Sequence, residues 1–226
     1  MLKINCDLGE SQEMADDGRQ QEMLSLIDLA NVCCGAHAGS LELTRKTMEQ
    51  AAQAGVRVGA HPGYADREFF GRRPMFGKVL RAKDIVDLVS EQVGSAVAAA
   101  DEFGLKLYHV KPHGALYNEA AEEGEVAEAI ALGVRQVLRD VFLMGLAKST
   151  MVGVFRRQGF VVLREAFADR RYTAEGLLVP RTEPDAMVED VGEARAQMQR
   201  LAGFCDTICV HSDSPGALDL IRALRD

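Results

Sequence analysis

His109, Lys111 and His113 are spaced by two residues. On an extended strand that spacing puts all three on one face. A lysine beside two imidazoles can neutralise developing negative charge and move protons near neutral pH. Tyr108 and Val110 take the opposite face, which is expected to meet packing helices. An inward lysine is costly to bury unless it is paired. Asp7, Glu165, Asp213 or an anionic substrate would serve. Further polar residues fall just after other short, β-branched apolar runs: Asp7 and Glu10; Asn31, Cys34 and His37; His61 and Asp66; Glu165, Asp169 and Arg170; His211 and Asp213. All five histidines lie at or near the C-terminal end of such a run, and none lies in a helical pattern. One histidine so placed is commonly a core or capping residue. Five at one rim mark a catalytic or binding face.

The runs that must position these residues alternate with longer amphipathic stretches. Strands are expected at Leu2–Leu8, Leu29–Cys34, Arg57–His61, Leu107–His113, Val141–Leu146, Val161–Phe167 and Thr207–His211. Helices are expected at Arg19–Asp28, Leu41–Ala54, Asp84–Phe103, Gly124–Leu138, Thr150–Gln158, Asp185–Leu201 and Pro215–Leu224. Ser214-Pro215 reads as an N-cap followed by proline at the first helical position, and Gly55 and Gly104 as C-caps. Such alternation gives a parallel sheet covered by helices, either open and doubly wound or closed as a barrel. No G-x-G-x-x-G or G-x-x-x-x-G-K-[ST] follows a strand. Polar residues crowd the strand ends, as they do at the active face of a parallel barrel. The expected fold is therefore α/β, a seven-stranded parallel (β/α) barrel forming a single domain over residues 1–226.

The composition agrees. A chain of 226 residues with 47% hydrophobic and 27% charged residues is that of an ordinary globular protein. A net charge of −8 repels phosphate backbones, which argues against nucleic acid. No apolar run approaches the roughly 20 residues that span a bilayer, and the polar start Lys3-Ile4-Asn5-Cys6-Asp7 is unlike a signal peptide. The five cysteines include an adjacent pair and no C-x-x-C. They read as small buried thiols of a reducing compartment, the cytoplasm. Met144 reads as a core gap-filler.

Several blocks resemble the LamB/YcsF family. They are Ile4-Asn5-Cys6-Asp7-Leu8-Gly9-Glu10-Ser11, Ala30 to Gly39, Gly59-Ala60-His61-Pro62-Gly63-Tyr64 with Gly71-Arg72-Arg73, and His109 to Asn118. Glu165 to Arg170 with Tyr172, Leu178 to Arg181, and Cys209 to Pro215 complete them. The resemblance implies a barrel of the glycoside hydrolase/deacetylase type. It also implies ATP-dependent opening of 5-oxo-L-proline to L-glutamate, with ADP and phosphate released, in company with partner subunits B and C. The departures include Ala36, Ser40-Leu41, Phe69-Phe70-Gly71 and Ser212, and they leave another lactam or amide open as substrate.

A stable lactam needs activation, and ATP would convert its amide oxygen to a phosphate ester. The reaction then requires a base, a charge stabiliser and a carboxylate clamp. Asp7 is expected as base or orienter, with Glu10 or His61 beside it. Lys111 would neutralise phosphate or oxyanion charge, and Arg170 or Arg73 would hold the substrate carboxylate. His37 and His113 are further acid–base candidates. Asn31, His37, Glu165, Asp169, His211 and Asp213 are expected to contact substrate. ATP, with Mg2+, would bind at the rim glycines or on a partner. Two other readings stay open. One is a metal-dependent hydrolase or deacetylase with Asp7, His37, His61 and His113 as ligands. The other is a non-catalytic protein of the complex that only binds the ligand. Assembly of like chains into a homo-oligomer is also left open.

Overall fold

The computed structural model describes residues 2–214 and 216–225. Its strands are β1 (Lys3–Leu8), β2 (Leu29–Cys33), β3 (Arg57–His61), β4 (His109–Val110), β5 (Phe142–Leu146), β6 (Val162–Phe167) and β7 (Thr207–Cys209). Each pairs in parallel with the next, and β7 returns to β1, which closes the barrel. The register Asp7↔Asn31↔Gly59↔His109 runs around one side of it.

Helices cover the outside. They are α1 (Gln12–Asp16), α2 (Arg19–Leu26), α3 (Leu41–Ala54), α4 (Ala82–Asp101), α5 (Gly114–Glu122), α6 (Gly124–Val137), α7 (Thr150–Arg157), α8 (Val191–Leu201) and α9 (Ala217–Arg225). Helix α3 starts and stops for local reasons. Ser40 Oγ accepts from the Leu43 N–H at 3.1 Å, and Gly55 ends the helix in the left-handed region. Its buried stripe, Leu43, Thr44, Thr47, Met48 and Ala51, follows the helical period. None of the helices is long and apolar enough to cross a membrane among the described residues. The five cysteines are free, and all but Cys34 are buried.

Three sequence expectations change. The fourth strand shrinks to His109–Val110, and Tyr108 does not meet the helices. It joins Phe142 against Leu29, Met144 and Leu163, the apolar plug inside the barrel. The Arg57 guanidinium lies 4.8 Å from its ring centroid, and Lys3 Nζ lies 5.5 Å away. The Tyr108 backbone already pairs, its N–H donating to Val58 O at 2.8 Å and its carbonyl accepting from Phe142 N–H at 3.2 Å, so the ring sits beside Lys3 and Arg57, the first residues of β1 and β3. The helix expected from Asp185 starts at Val191, because Asp190 caps it and the preceding segment is tied to the loop after β6. There Val188 N–H donates to Asp169 O and Met187 bridges Arg170. Gly114–Glu122, to which the sequence pattern assigns no helix, is helical, and its stripe Leu116, Tyr117, Ala120 and Ala121 is buried. The Ser214-Pro215 cap lies at Pro215, outside the described residues.

One glycine on β3 shapes the interior. A Cβ at Gly59 would fall within the His109 ring, so the bare backbone is what lets that imidazole lie across the barrel. Gly59→Ala is expected to destabilise the fold by about 2–3 kcal/mol through overpacking. Urea denaturation would measure it, and a change below about 0.5 kcal/mol would contradict this packing account.

Candidate active site

Polar side chains fill the barrel from its middle to its C-terminal mouth. Lowest is a buried network. Asn5 Nδ2 donates to Thr207 Oγ1 at 2.9 Å, and Asn31 Nδ2 donates to Asn5 Oδ1 at 2.8 Å and Asp7 Oδ1 at 2.7 Å. His109 Nε2–H completes it, donating to Asn31 Oδ1 at 2.6 Å. His109 and Asn31 therefore belong to the barrel interior rather than to its rim.

His109 is kept neutral. Burial, with the neighbouring Lys111 and His61 charges, pushes its pKa down to about 3. An unfolded imidazole takes up its proton near about 6.5. Between those values the unfolded chain binds the extra proton, so acid favours unfolding by up to ~1.4 kcal/mol per pH unit. The urea midpoint is expected to fall from about pH 6.5 to 4.5, before most carboxylates protonate. His109→Gln should flatten that slope, and an unchanged slope would show that other groups cause it.

Above this network sits Lys111. Its Nζ donates to Asp7 Oδ1 at 2.9 Å and Asn5 Oδ1 at 3.3 Å, and lies 3.2 Å from Cys209 Sγ. Glu165 Oε1 is 3.0 Å away on the opposite side. Burial alone would depress this lysine. Asp7, Cys209 and Glu165 outweigh it and hold the ammonium well above its ordinary range. Burial would likewise raise Asp7, but His61 and Lys111 keep it well below the usual carboxylate range. Asp7 and Lys111 thus form a charged pair with almost no exposure.

Asp7 also links Lys111 to a histidine cluster, since its Oδ2 lies 3.4 Å from His61 Nε2. His61 Nε2 is 3.0 Å from His113 Nδ1, and His37 Nε2 is 3.0 Å from Glu10 Oε1. The His37 and His113 rings stack at 3.7 Å, with His61 edge-on to both. Burial tends to lower His37, but contacts to Cys33 and Glu10 raise it above its ordinary value. Asp7, Glu10, His37, His61, Lys111 and His113, all expected at the site from separate stretches of sequence, are thus contiguous.

A second dyad faces them from the β6 and β7 loops. Asp169 accepts from His211 Nδ1 at 3.0 Å and from the His211 backbone N–H at 2.9 Å. Burial raises the Asp169 carboxyl, yet His211 more than compensates and holds it low. The His211 ring stacks on Phe167 at 5.3 Å.

These groups open into a cavity of about 670 Å³, lined by Asp7, His61, Lys111, His113, His211 and arginines from the loops after β3 and β6. That volume suits a small-molecule ligand. Arg170 is buried, donates to Val179 O at 2.5 Å, and leaves its Nε without a partner. Arg181 Nη2 is also unpartnered, as are the Tyr117 hydroxyl and Glu165 Oε2, while Glu165 Oε1 has the Lys111 ion pair alone. Burial, with Arg181 and Arg72 nearby, brings Arg170 down to about 10, so it stays cationic at neutral pH. Arg72 and Arg181 reach the cavity while paired with Asp213. Arg73 lines it too, but its guanidinium is held by Asp66 at 2.5 and 3.0 Å and stacks on Phe69. Of the two expected carboxylate clamps, Arg170 is therefore the one with free donor capacity. Glu165 and Asn31 lie beneath the cavity surface, behind Lys111 and Asp7.

Sequence reasoning gave no role to Asn5, Cys209, Tyr117, Phe167 or Arg181. Strand alternation signals three of them, because Asn5 is two residues before Asp7, Phe167 two after Glu165 and Cys209 two before His211. Tyr117 and Arg181 come from helix and loop geometry, which periodicity does not encode.

The sequence model of the LamB/YcsF family matches residues 2–226. The chain is 40% identical over 238 aligned residues to the A subunit of 5-oxoprolinase from Bordetella pertussis, covering 99% of this chain and 93% of that one. It is 39% identical to the corresponding 5-oxoprolinase chain of Brevibacillus brevis, covering 100% and 93%. Among solved structures it is similar to the lactam utilization protein from Thermus thermophilus, with a TM-score of 0.88, 35% identity, and 99% and 94% of the two chains covered.

Proposed function

Because the chain belongs to the LamB/YcsF family, we propose that it acts in lactam utilization, as the A subunit of an ATP-dependent 5-oxoprolinase that opens 5-oxo-L-proline to L-glutamate. One observation carries this reading: a buried Lys111, held by Asp7 and Glu165, lies at the floor of a cavity lined by Arg72, Arg170 and Arg181. Hydrolysing an activated lactam asks for that combination of a fixed cation and free anion donors.

In the proposed reaction, the lactam oxygen attacks the γ-phosphorus of ATP and ADP leaves. Water then adds to the ring carbon. The C–N bond breaks, and the nitrogen takes a proton to become the α-amino group. The resulting acyl phosphate is hydrolysed by a second water, which releases phosphate. Lys111 stabilises negative charge on the reacting oxygen. Arg170 and Arg181, which line the cavity, supply guanidinium charge to the substrate carboxylate and to the phosphoryl group. A carboxylate as depressed as Asp7 is a weak base, so Asp7 orients Lys111 and His61. His211, its Nδ1–H held by Asp169, presents Nε2 as the base that deprotonates water.

The relatives are named as A subunits, so they belong to multi-subunit assemblies. ATP with its Mg2+, and partner subunits B and C, are part of the proposal. The cavity's arginines and Lys111 fit a phosphoryl group. The test is glutamate and ADP release from 5-oxo-L-proline and ATP by this chain mixed with its B and C partners, omitting each component in turn. Joint release that requires this chain is expected. No glutamate from folded chain and active partners would overturn the reading.

A further inference from the structure

We propose that Glu10, His37, His61 and His113 form a binding site for one divalent transition-metal ion of the zinc type. A backbone carbonyl can only accept a hydrogen bond. His61 Nδ1 lies 2.7 Å from the Lys111 carbonyl oxygen, and His113 Nε2 lies 2.8 Å from that of Phe70. Both nitrogens must therefore carry hydrogen. With both imidazoles neutral, as ligands are, the remaining nitrogens, His61 Nε2 and His113 Nδ1, turn their lone pairs toward each other at 3.0 Å. Lone pairs that close repel unless a cation accompanies them.

The surrounding atoms have the separations of a metal shell. Glu10 Oε1 lies 3.4 Å from His113 Nδ1, 3.9 Å from His61 Nε2 and 3.0 Å from His37 Nε2. One donor atom from each of the four residues lies within 4.8 Å of every other. Donors bound at zinc distances in a tetrahedron sit about 3.4 Å apart, inside the range of these separations. Glu10, His61 and His113 converge directly. His37 stacks on His113 and completes the set by a tilt of its ring. Glu10 thus takes the carboxylate place expected for Asp7, whose Oδ1 is committed to Lys111.

The supporting shell points the same way. An imidazole ligand usually donates its other N–H to a carbonyl or carboxylate, which fixes tautomer and orientation. His61 and His113 both do so. Phe70, whose carbonyl serves His113, adopts a left-handed φ of 55° that non-glycine residues rarely take. At the next residue a Cβ on Gly71 would lie 2.8 Å from His37 Cβ, so the loop is shaped to the rings. Imidazole and carboxylate donors together favour zinc and its neighbours over magnesium or calcium. The site does not depend on which lactam or amide fills the cavity beside it.

The test is direct metal binding. Chelator-stripped full-length chain is dialysed against micromolar Zn2+, and bound metal is measured by elemental analysis. About one equivalent per chain is expected, and Co2+ in its place should give the visible absorption of a four-coordinate nitrogen–oxygen site. Glu10→Gln, which preserves volume, is expected to weaken Zn2+ binding at least ~10-fold. His61→Ala with His113→Ala is expected to weaken it ~100-fold or more. Stripped wild-type chain that retains no stoichiometric zinc overturns the site. So does a folded double variant, checked by circular dichroism, that binds zinc as the wild type does. Because zinc binding is read without substrate, failure of the lactam assay would leave this result standing.

Discussion

Under the proposed function, Lys111→Met is expected to eliminate ATP-dependent glutamate formation, lowering kcat by about 10³-fold or more while leaving the barrel folded at low temperature. Removing one well-aimed donor to a developing oxyanion commonly costs about 10²–10³ in rate. Lys111 carries a full charge, and no second ammonium lines the cavity among the described residues. The same change leaves Asp7 and Glu165 buried without their cation. Breaking such a pair costs about 3–5 kcal/mol, a large share of the roughly 5–15 kcal/mol that holds a domain folded. Lys111→Arg should also fail in turnover, because a planar fork does not fit the space among Asp7 Oδ1, Asn5 Oδ1 and Cys209 Sγ, all within 3.3 Å of one ammonium nitrogen. Single-turnover glutamate release, with thermal unfolding on the same samples, separates lost chemistry from lost folding. A folded Lys111→Met chain that turns over within tenfold of wild type would remove Lys111 from the mechanism.

The barrel could be read from the sequence because its strands are short apolar runs, each ended by residues of a different kind. Position in the run and residue type agreed at Asp7, His61, Lys111 and Glu165. Two-residue spacing then gave the inward face of β4 beyond His109. The same rule failed at Tyr108, whose backbone pairs with Val58 and Phe142 but whose ring packs with the apolar plug beside Lys3 and Arg57. His109 looked like a rim residue because it shares a face with Lys111. Each step along a strand is about 3.3 Å, so two residues earlier means one layer deeper, among Asn5, Asn31 and Thr207. Proximity between segments far apart in the chain was the part hidden from view. Which carboxylate meets which histidine depends on how the loops after β1, β2 and β3 fold over the mouth. Glu10, on the β1 loop, reaches the histidines, whereas Asp7 is drawn down to Lys111. Likewise Arg73 and Arg170 look equivalent as residue types, and only the Asp66 partner of Arg73 separates them.

Asp169→Asn is expected to lower kcat by roughly 10³–10⁴ with little change in KM, as when the carboxylate that orients a catalytic imidazole is replaced by an amide. Asp169 accepts from both the ring Nδ1–H and the backbone N–H of His211, and Ser214 Oγ donates to it at 3.2 Å. An ionised carboxylate only accepts, so it fixes the proton on Nδ1 and leaves Nε2 basic. An asparagine can turn its NH2 toward Nδ1, which moves the ring proton to Nε2 and leaves no base at the substrate. The ring itself would stay in place, since Phe167 stacks on it. Asp169 is therefore a positioning residue whose loss is read through His211. Its carboxylate also stabilises the imidazolium that forms when water is deprotonated. A purely structural role for Asp169 would lower the fraction of folded protein without lowering kcat per folded chain. Asp169→Glu keeps the charge and should recover part of kcat. Values of kcat and KM for the three proteins, each normalised to folded chain, decide the matter, and an Asp169→Asn enzyme within threefold of wild type would remove His211 as the base.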